Sequence, residues 1–293
     1  METILVLTDF SEISRHAAEY ACALSRQLNV RHIVLYHAYE IILPVSAGAA
    51  SITGQLDYNV LTEFSPQDEQ LLRERSLQGL EAEKNRLSGE DGEDGEDIMI
   101  ECATDEIRLA DSINDIAEKY NAGLVVLGIS EKDGILFGSN AIGVVDGSKY
   151  PVLVVPLKAA IEPVSRIVFA YDLEPVDQTF PGAELKQLLD AFGAILKVVH
   201  VDKDHSGWVA EVAGPGGMPG LGQLLESYHP SFHFIENEDV VEGILLYAER
   251  NQASLILTIG KSHGFFKSLF HRSVMHKLAH HSSAPLLVIH EKK

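Results

Sequence analysis

Two glycine-containing stretches, one in each half of the chain, have residue types that bind anions. The first, residues 124–140 (LVVLGISEKDGILFGSN), opens with an aliphatic run that predicts a buried strand, and Gly128, Gly138 and Ser139 follow this run. The second, residues 255–273 (LILTIGKSHGFFKSLFHRS), repeats the same design. A strand that breaks into a glycine-containing loop lets backbone N–H groups approach an anion closely. The pattern predicts a binding function and names no catalytic step.

Two aspartates and two histidines stand at matching places in the two halves. Asp9 comes just after the first aliphatic run of the chain, and Asp172 occupies the same place 163 positions later. His37 and His200 end the next run in each half with the same offset, which indicates an internal duplication. An aspartate at a strand-to-helix turn can bind a ligand or cap the helix, and we weigh these roles equally. The histidines are expected to pack at the strand ends.

Apolar runs and cap residues predict alternating strands and helices in both halves, and hence parallel sheets. The first half is predicted to contain strands at 3–7, 32–36, 98–102, 124–127 and 151–155, helices behind Ser11 and at 66–88 and 105–120, and a helix or turn at 141–146. The second half is predicted to contain strands at 166–170, 195–199, 255–259 and 285–289, helices at 240–250 and 273–281, and a reduced middle. We therefore predict two domains, residues 1–157 and 164–293, joined by a linker at 158–163.

Composition excludes several classes of function. The net charge is −20, most of it in the first half, so phosphates of nucleic acid and anionic membrane surfaces would be repelled. No apolar run reaches the roughly 18–20 residues of a membrane span, and the N-terminus lacks the basic segment of a signal peptide. Cys22 and Cys102 are expected to be buried free thiols, and a cytoplasmic location is predicted. The acidic repeat at residues 89–97 is expected to be a mobile, dispensable turn.

The layout resembles the universal stress protein family in its tandem form, with two such domains in one chain. The resemblance is carried by ILVLTDFSE with IVFAYDLE, LVVLGIS with LILTIGK, and PVLVV with PLLVI, together with the two strand-end histidines. It covers nearly the whole sequence. It implies an α/β fold of two tandem open parallel five-stranded sheets with helices on both faces. Intramolecular pairing of the domains about a pseudo-twofold axis is also expected, and a homodimer is a further option.

The resemblance also implies a nucleotide site, because members of the family that bind nucleotides hold ATP at the carboxyl ends of the strands. ATP or AMP would be the ligand. The adenine side would fall to Asp9 and Asp172 and to the backbone of Ala38 and Val201. The phosphate side would fall to residues of the two glycine-containing stretches, namely Gly128, Gly138 and Ser139 in the first half and Gly260 and Ser273 in the second.

Both phosphate loops depart from the pattern of the family. Glu131 in the first half and His263 in the second stand where a second glycine belongs, and Arg272 replaces the glycine before Ser273. A carboxylate near phosphate costs on the order of 1–4 kcal/mol, whereas arginine or lysine side chains can bind phosphate directly. The second half, with Arg272 at its loop, is therefore predicted to be the preferred nucleotide site.

Signature motifs of common enzymes are absent from the sequence, including the P-loop, the nucleophile elbow and the dinucleotide fingerprint. We predict no catalytic residue and no metal site. The favoured reading is a protein that binds a nucleotide and signals in stress adaptation. Two alternatives stay open: a slow ATP-hydrolysing switch that uses the second-half site, and a structural interaction protein that binds no nucleotide.

Overall fold

The computed structural model of the chain describes residues 1–39, 66–90, 98–106, 109–129, 137–173, 176–203, 220–260, 277 and 282–291. The first half contains β1 Thr3–Leu7, α1 Glu12–Gln27, β2 His32–Tyr39, α2 Pro66–Glu90, β3 Met99–Glu106, α3 Leu109–Lys119, β4 Ala122–Ile129, α4 Phe137–Gly147 and β5 Val152–Pro156. The second half contains β6 Arg166–Ala170, α5 Gly182–Phe192, β7 Ile195–Asp202, α6 Leu221–Leu225, a 3-10 turn at Glu226–Tyr228, β8 Ser231–Glu236, α7 Val240–Arg250, β9 Leu255–Gly260 and β10 Leu286–His290.

The ten strands of the described residues join into one sheet, in the order β3-β2-β1-β4-β5-β10-β9-β6-β7-β8. Each half forms five parallel strands, as the family resemblance implies, although β8 was not among the strands expected from the sequence. β5 and β10 pair antiparallel and join the two sets. The expected α/β fold with a parallel five-stranded set in each half is confirmed, and the β5–β10 pair makes the two sets continuous. Fusion is favourable because β5 and β10 are aliphatic strands whose free edges would otherwise be open to other chains.

The junction between the halves is symmetric. Leu153 pairs with Leu287, Val152 with Val288, and Val154 with Leu286. Because the strand order also reads the same from either end, a local twofold axis through the Leu153–Leu287 pair would generate this arrangement. The predicted domain boundaries stay a prediction, since a shared sheet does not fix where a linker begins.

Both faces of the sheet are covered by helices, and side chains alternate between two cores. One core packs α1, α2, α5 and α6 on one face, and the other packs α3, α4 and α7 on the opposite face. Each core contains residues of both halves. Gln27 at the end of α1 adds a polar tie, since its side-chain amide donates to the carbonyls of Val164 (2.8 Å) and Phe192 (3.1 Å). None of the described helices is long and apolar enough to cross a bilayer.

Several boundaries differ from the sequence-based expectations. β3 continues to Glu106, so the helix expected to begin at Asp105 begins at Leu109 instead. α4 begins at Phe137, four residues earlier than expected. Cys22 is buried and Cys102 is half-buried, and no disulfide joins them. Residues 91–97 of the acidic repeat, and the helix expected at 273–281 apart from Lys277, lie outside the described residues.

Candidate functional site

Two hydrogen bonds join the ends of β1 and β2 at the carboxyl edge of the first half, and we call this arrangement the strand-end crossing. The N–H of Thr8 donates to the carbonyl of Tyr36 (2.9 Å), and Nδ1 of His37 contacts the carbonyl of Thr8 at 2.7 Å. A carbonyl can only accept, so Nδ1 of His37 carries the proton and donates. Phe10 then turns the chain with φ of 67°, a left-handed conformation that a bulky residue rarely adopts.

The second half repeats this crossing in every part. The N–H of Tyr171 donates to the carbonyl of Val199 (2.9 Å), and Nδ1 of His200 donates to the carbonyl of Tyr171 (2.9 Å). Leu173 has φ of 66°, as Phe10 does in the first half. The two histidines therefore hold the strand ends together, which is the packing role that the sequence favours for them.

Asp9 makes a local turn contact. Its Oδ1 accepts from the N–H of Ser11 at 3.0 Å, and the side chain of Ser11 in turn accepts from the N–H of Ser14 at 3.2 Å as the N-cap of α1. Asp9 thus stabilises the turn before α1, while Ser11 is the N-cap of the helix. A ligand would meet a carboxylate whose orientation the turn already sets.

The backbone of Ala38, one of the predicted site residues, faces the crevice beyond the end of β1. In a parallel strand, successive residues direct their backbone groups to alternate neighbours. Tyr36 directs its carbonyl to β1, so Ala38, two residues on, faces the same side. β1 makes its last pair with β2 at Leu7 and Tyr36, so the backbone of Ala38 faces the crevice beyond the end of β1.

A pocket of about 280 Å³ opens at the equivalent edge of the second half. It brings together two of the predicted site residues, Asp172 and Val201. Val201 lies beyond the last pair of β6 and β7, which joins Ala170 and Val199, so it has the same relation to the crevice as Ala38. The first turns of α7 form the apolar wall through Val240 and Ile244. The remaining polar lining includes His200, Asp202 and Lys203.

The two strand-end glycines do not occupy equivalent places. Gly128 pairs with Val155 of β5, whereas Gly260 pairs with His290 of β10, one residue further along. A shift of one residue turns the side-chain direction to the other face. A Cβ on Gly128 would lie 2.7 Å from the backbone oxygen of Ile13 in α1, whereas a Cβ on Gly260 would lie 2.9 Å from the ring of His290. Close packing thus accounts for glycine at position 128 without any phosphate.

The remaining predicted phosphate residues divide into two groups. Gly138 and Ser139 belong to the first turn of α4, so they stand at a helix N-terminus rather than in a loop. Free N–H groups at such a terminus favour anions. Arg272 and Ser273 lie outside the described residues, as do Glu131 and His263.

An ion pair at the wall of the second-half pocket was not foreseen. Asp239 is the N-cap of α7, accepting from the N–H of Glu242 at 3.1 Å, and it also pairs with Lys277. The hydrogen bond from Lys277 lowers the pKa of Asp239. The sequence indicates Asp239 as an N-cap, because an aspartate precedes an apolar run. It gives no sign of the ion pair, because Lys277 is distant from Asp239 in sequence. The pair ties the chain after the second glycine-containing stretch to the helix that lines the pocket.

Comparison with known families identifies the fold. The sequence model of the universal stress protein family matches residues 1–156 and 164–290. The chain belongs to the universal stress protein family. The two matched segments correspond to the two halves of the sheet, as expected for the tandem form. No curated protein matches the chain significantly.

Solved structures of similar architecture span the whole chain. A universal stress protein from Archaeoglobus fulgidus is 20% identical with a TM-score of 0.59, and the match covers 99% of this chain and 97% of that chain. A functionally unknown protein from Pseudomonas aeruginosa is 14% identical with a TM-score of 0.57, covering 99% and 93%. A universal stress protein in complex with cAMP is 23% identical and covers 53% of this chain and 96% of that chain, but its TM-score of 0.35 is too low to carry an argument. At these identities the similarities establish the fold alone.

Proposed function

We propose that this universal stress protein binds an adenine nucleotide, ATP or AMP, at the carboxyl edge of its second half and serves as a cytoplasmic stress-signalling protein. The observation that carries the proposal is the pocket that contains Asp172 and Val201. Its volume of about 280 Å³ is near the lower limit of small-molecule sites, ~300 Å³, which suits a base better than a whole nucleotide. Ligands of open α/β sheets lie at this edge.

The lining of the pocket matches the chemistry of adenine. The carboxylate of Asp172 can accept a hydrogen bond from the exocyclic amine or from a ribose hydroxyl. The backbone N–H and C=O of Val201, which face the crevice, can pair with the ring edge. Val240 and Ile244 supply apolar contact for the ring faces. Each part of the base thus has a counterpart in the lining.

Binding of the phosphates is assigned to cations that follow β9. In the sequence, Lys261, Lys267 and Arg272 belong to this stretch, whereas the first-half stretch carries Glu131 and Asp133. Charge-assisted contacts to phosphate contribute roughly 1.5–3 kcal/mol each, which offsets a missing loop glycine. In a chain with a net charge of −20, such local cations favour the binding of phosphates at the second half.

Calorimetric titration of the purified chain with ATP and AMP tests the proposal. Asp172→Asn removes the negative charge from the pocket and should weaken binding about tenfold, as expected for one charged hydrogen bond. Asp177→Asn is the matched control, because Asp177 caps a nearby exposed turn through the N–H of Thr179 and should leave affinity unchanged. No binding of either nucleotide at millimolar concentration would contradict the proposal and favour a structural interaction protein. Phosphate release during the titration would favour the ATP-hydrolysing switch.

A further inference from the structure

Tyr36 and Val199 occupy the same place in the two halves. Each is the last residue of its strand to pair with the preceding strand, Tyr36 with Leu7 and Val199 with Ala170. The carbonyl of each accepts a hydrogen bond from the residue that follows that preceding strand, at 2.9 Å in both halves. The two positions are therefore counterparts, and the different side chains at them can be compared directly.

The side chains at this place determine how much space lies below the crevice. Val199 and Ala170 line the second-half pocket. Their counterparts Tyr36 and Leu7 are both larger, and Tyr36 is completely buried. The opposite exchange, Ala38 for Val201, removes less volume than Tyr36 and Leu7 add. The strand side of the first half is thus filled by its own residues.

The helix side of the pocket does not explain the difference. Ile244 of α7 lines the second-half pocket, and Ile113 of α3 belongs to the same buried core as Tyr36. Both helices place an isoleucine in the core face that covers their strands. Val240 at the start of α7 has Leu109 at the start of α3 as its counterpart, a difference of one methylene. Tyr36 in place of Val199 is therefore the largest single exchange among these positions.

The phenol of Tyr36 is also satisfied without a ligand. Its hydroxyl donates to Oδ2 of Asp105 at 3.2 Å, and Lys119 lies 3.6 Å from the same carboxylate. Burial raises the pKa of Tyr36, so the hydroxyl keeps its proton and remains a donor. In the second half Ile235 takes the register position of Asp105, so the acceptor belongs to the first half.

From this comparison we infer that Tyr36 fills the base pocket of the first half, so that the chain has one nucleotide site, in its second half. The inference rests on the proposed function, and it adds the number of nucleotides bound per chain and the residue that determines this number, Tyr36. Val199 is the corresponding specificity residue: it leaves the second pocket open where a tyrosine would close it.

Titration of the full chain with ATP tests the inference with three variants. Wild type should bind one ATP per chain. Val199→Tyr should weaken binding at least tenfold, because the new phenol enters the pocket. Tyr36→Val should open a second, weaker site and bind two ATP per chain at saturating ATP, since Glu131 and Asp133 follow β4 in the first half. Tyr36→Phe is the matched control: it keeps the ring, loses the hydroxyl and should still bind one.

Thermal unfolding of the same proteins guards against misfolding as an explanation. Tyr36→Val should unfold at a lower temperature than wild type, and ATP should raise that temperature more than it does for wild type, because a ligand stabilises the state that binds it. Two ATP bound by wild type would overturn the inference while leaving the proposed function intact. One ATP bound by Tyr36→Val, or undiminished binding by a folded Val199→Tyr, would also overturn it. A wild type that binds no ATP would overturn the proposed function itself.

Discussion

The two halves of the sheet share strand order and the crossing at their carboxyl edges, yet different elements cover them. In the first half the 25-residue α2 packs against β2 and β3, and the ring of Phe10 lies where a Cβ on Gly79 of α2 would be. In the described part of the second half the corresponding region contains α6, of five residues, and all six residues of β8 remain at least partly exposed. The first half is therefore more fully packed on this face, whereas the pocket of the second half, lined by Val199 and Ile244, opens on the opposite face.

This contrast shows how a duplicated fold can divide its tasks. The sheet, its junction and the strand-end histidines are common to both halves because they hold the backbone in place. Side chains that line the crevice can differ between the halves, because either a protein side chain or a bound ligand can occupy the space next to the core. Substitutions in α2, at the two strand-end glycines, at Gln27 and at Lys277 test how the two halves are stabilised.

The largest effect is expected from the clamp that holds α2 on α1. Arg86 donates to the buried carboxylate of Glu83 through Nη2 (2.6 Å) and Nε (3.2 Å), and it pairs with Glu19 of α1. Arg86→Ala leaves the buried Glu83 charge with only the exposed Arg15, whose Nε lies 3.7 Å away, and should lower the free energy of unfolding by about 3 kcal/mol or slightly less. Urea unfolding measures the loss. The exposed Arg75→Ala on the same helix is the control, and an equal loss in both variants would contradict the clamp.

The two strand-end glycines should respond differently to a methyl group. Gly128→Ala places its Cβ against the backbone oxygen of Ile13, which cannot move without shifting α1, so we expect a loss of about 2 kcal/mol. Gly260→Ala meets the His290 and Val288 side chains and should cost less. Gly89→Ala has open space around its Cβ and controls for the exchange itself. Denaturant unfolding ranks the three, and an equal cost at Gly128 and Gly260 would show that the register of the halves is misassigned.

The hydrogen bonds of Gln27 that link the two halves should contribute less to the free energy of unfolding than Gly128 does. Its side chain accepts from the N–H of Val164 (2.8 Å) and donates to the carbonyls of Val164 and Phe192. Gln27→Ala should cost about 1.5 kcal/mol, because it leaves these backbone groups without their partner. The exposed Gln78→Ala is the matched control by the same unfolding assay. Unchanged stability of Gln27→Ala would mean that the cores alone hold the halves together.

The smallest effect is expected at the wall of the second-half pocket. The pKa of Asp239 is lowered by Lys277, so the pair stabilises the fold above the unfolded-state pKa of about 4 and loses this effect as pH falls through the lower folded-state pKa. Both side chains are more than one-third exposed, so Lys277→Met should cost less than about 1 kcal/mol at pH 7. Unfolding from pH 7 to pH 3 should show this difference shrinking. The exposed Lys186→Met should show no such trend.

The backbone of this fold was largely predictable because its signals are local. Aliphatic runs fixed the strand positions, and the shared offset of Asp9 with Asp172 and of His37 with His200 revealed the duplication. The antiparallel β5–β10 junction has no local signal, since any aliphatic edge strand could pair or stay open. The one-residue shift in strand register between Gly128 and Gly260 could not be predicted from the sequence, because each glycine simply follows an aliphatic run.

The candidate site was predictable only in outline. The placement of Asp172 and Val201 in one pocket follows from parallel strands whose carboxyl ends share an edge. That Tyr36 is fully buried with its hydroxyl on Asp105 depends on a side chain reaching a strand far away in sequence. Such tertiary contacts decide which of two similar sites remains open, and strand patterns carry no information about them.

Counting the ATP molecules bound to each intact chain by native mass spectrometry tests the central claim most directly, because the claim concerns one site among two similar halves. At ATP concentrations that saturate the calorimetric signal, the account predicts a single bound ATP per chain, and this species should disappear in Val199→Tyr. A second bound ATP on wild type at the same concentration, or a single ATP that persists in Val199→Tyr, would contradict the division of the molecule into one filled half and one binding half.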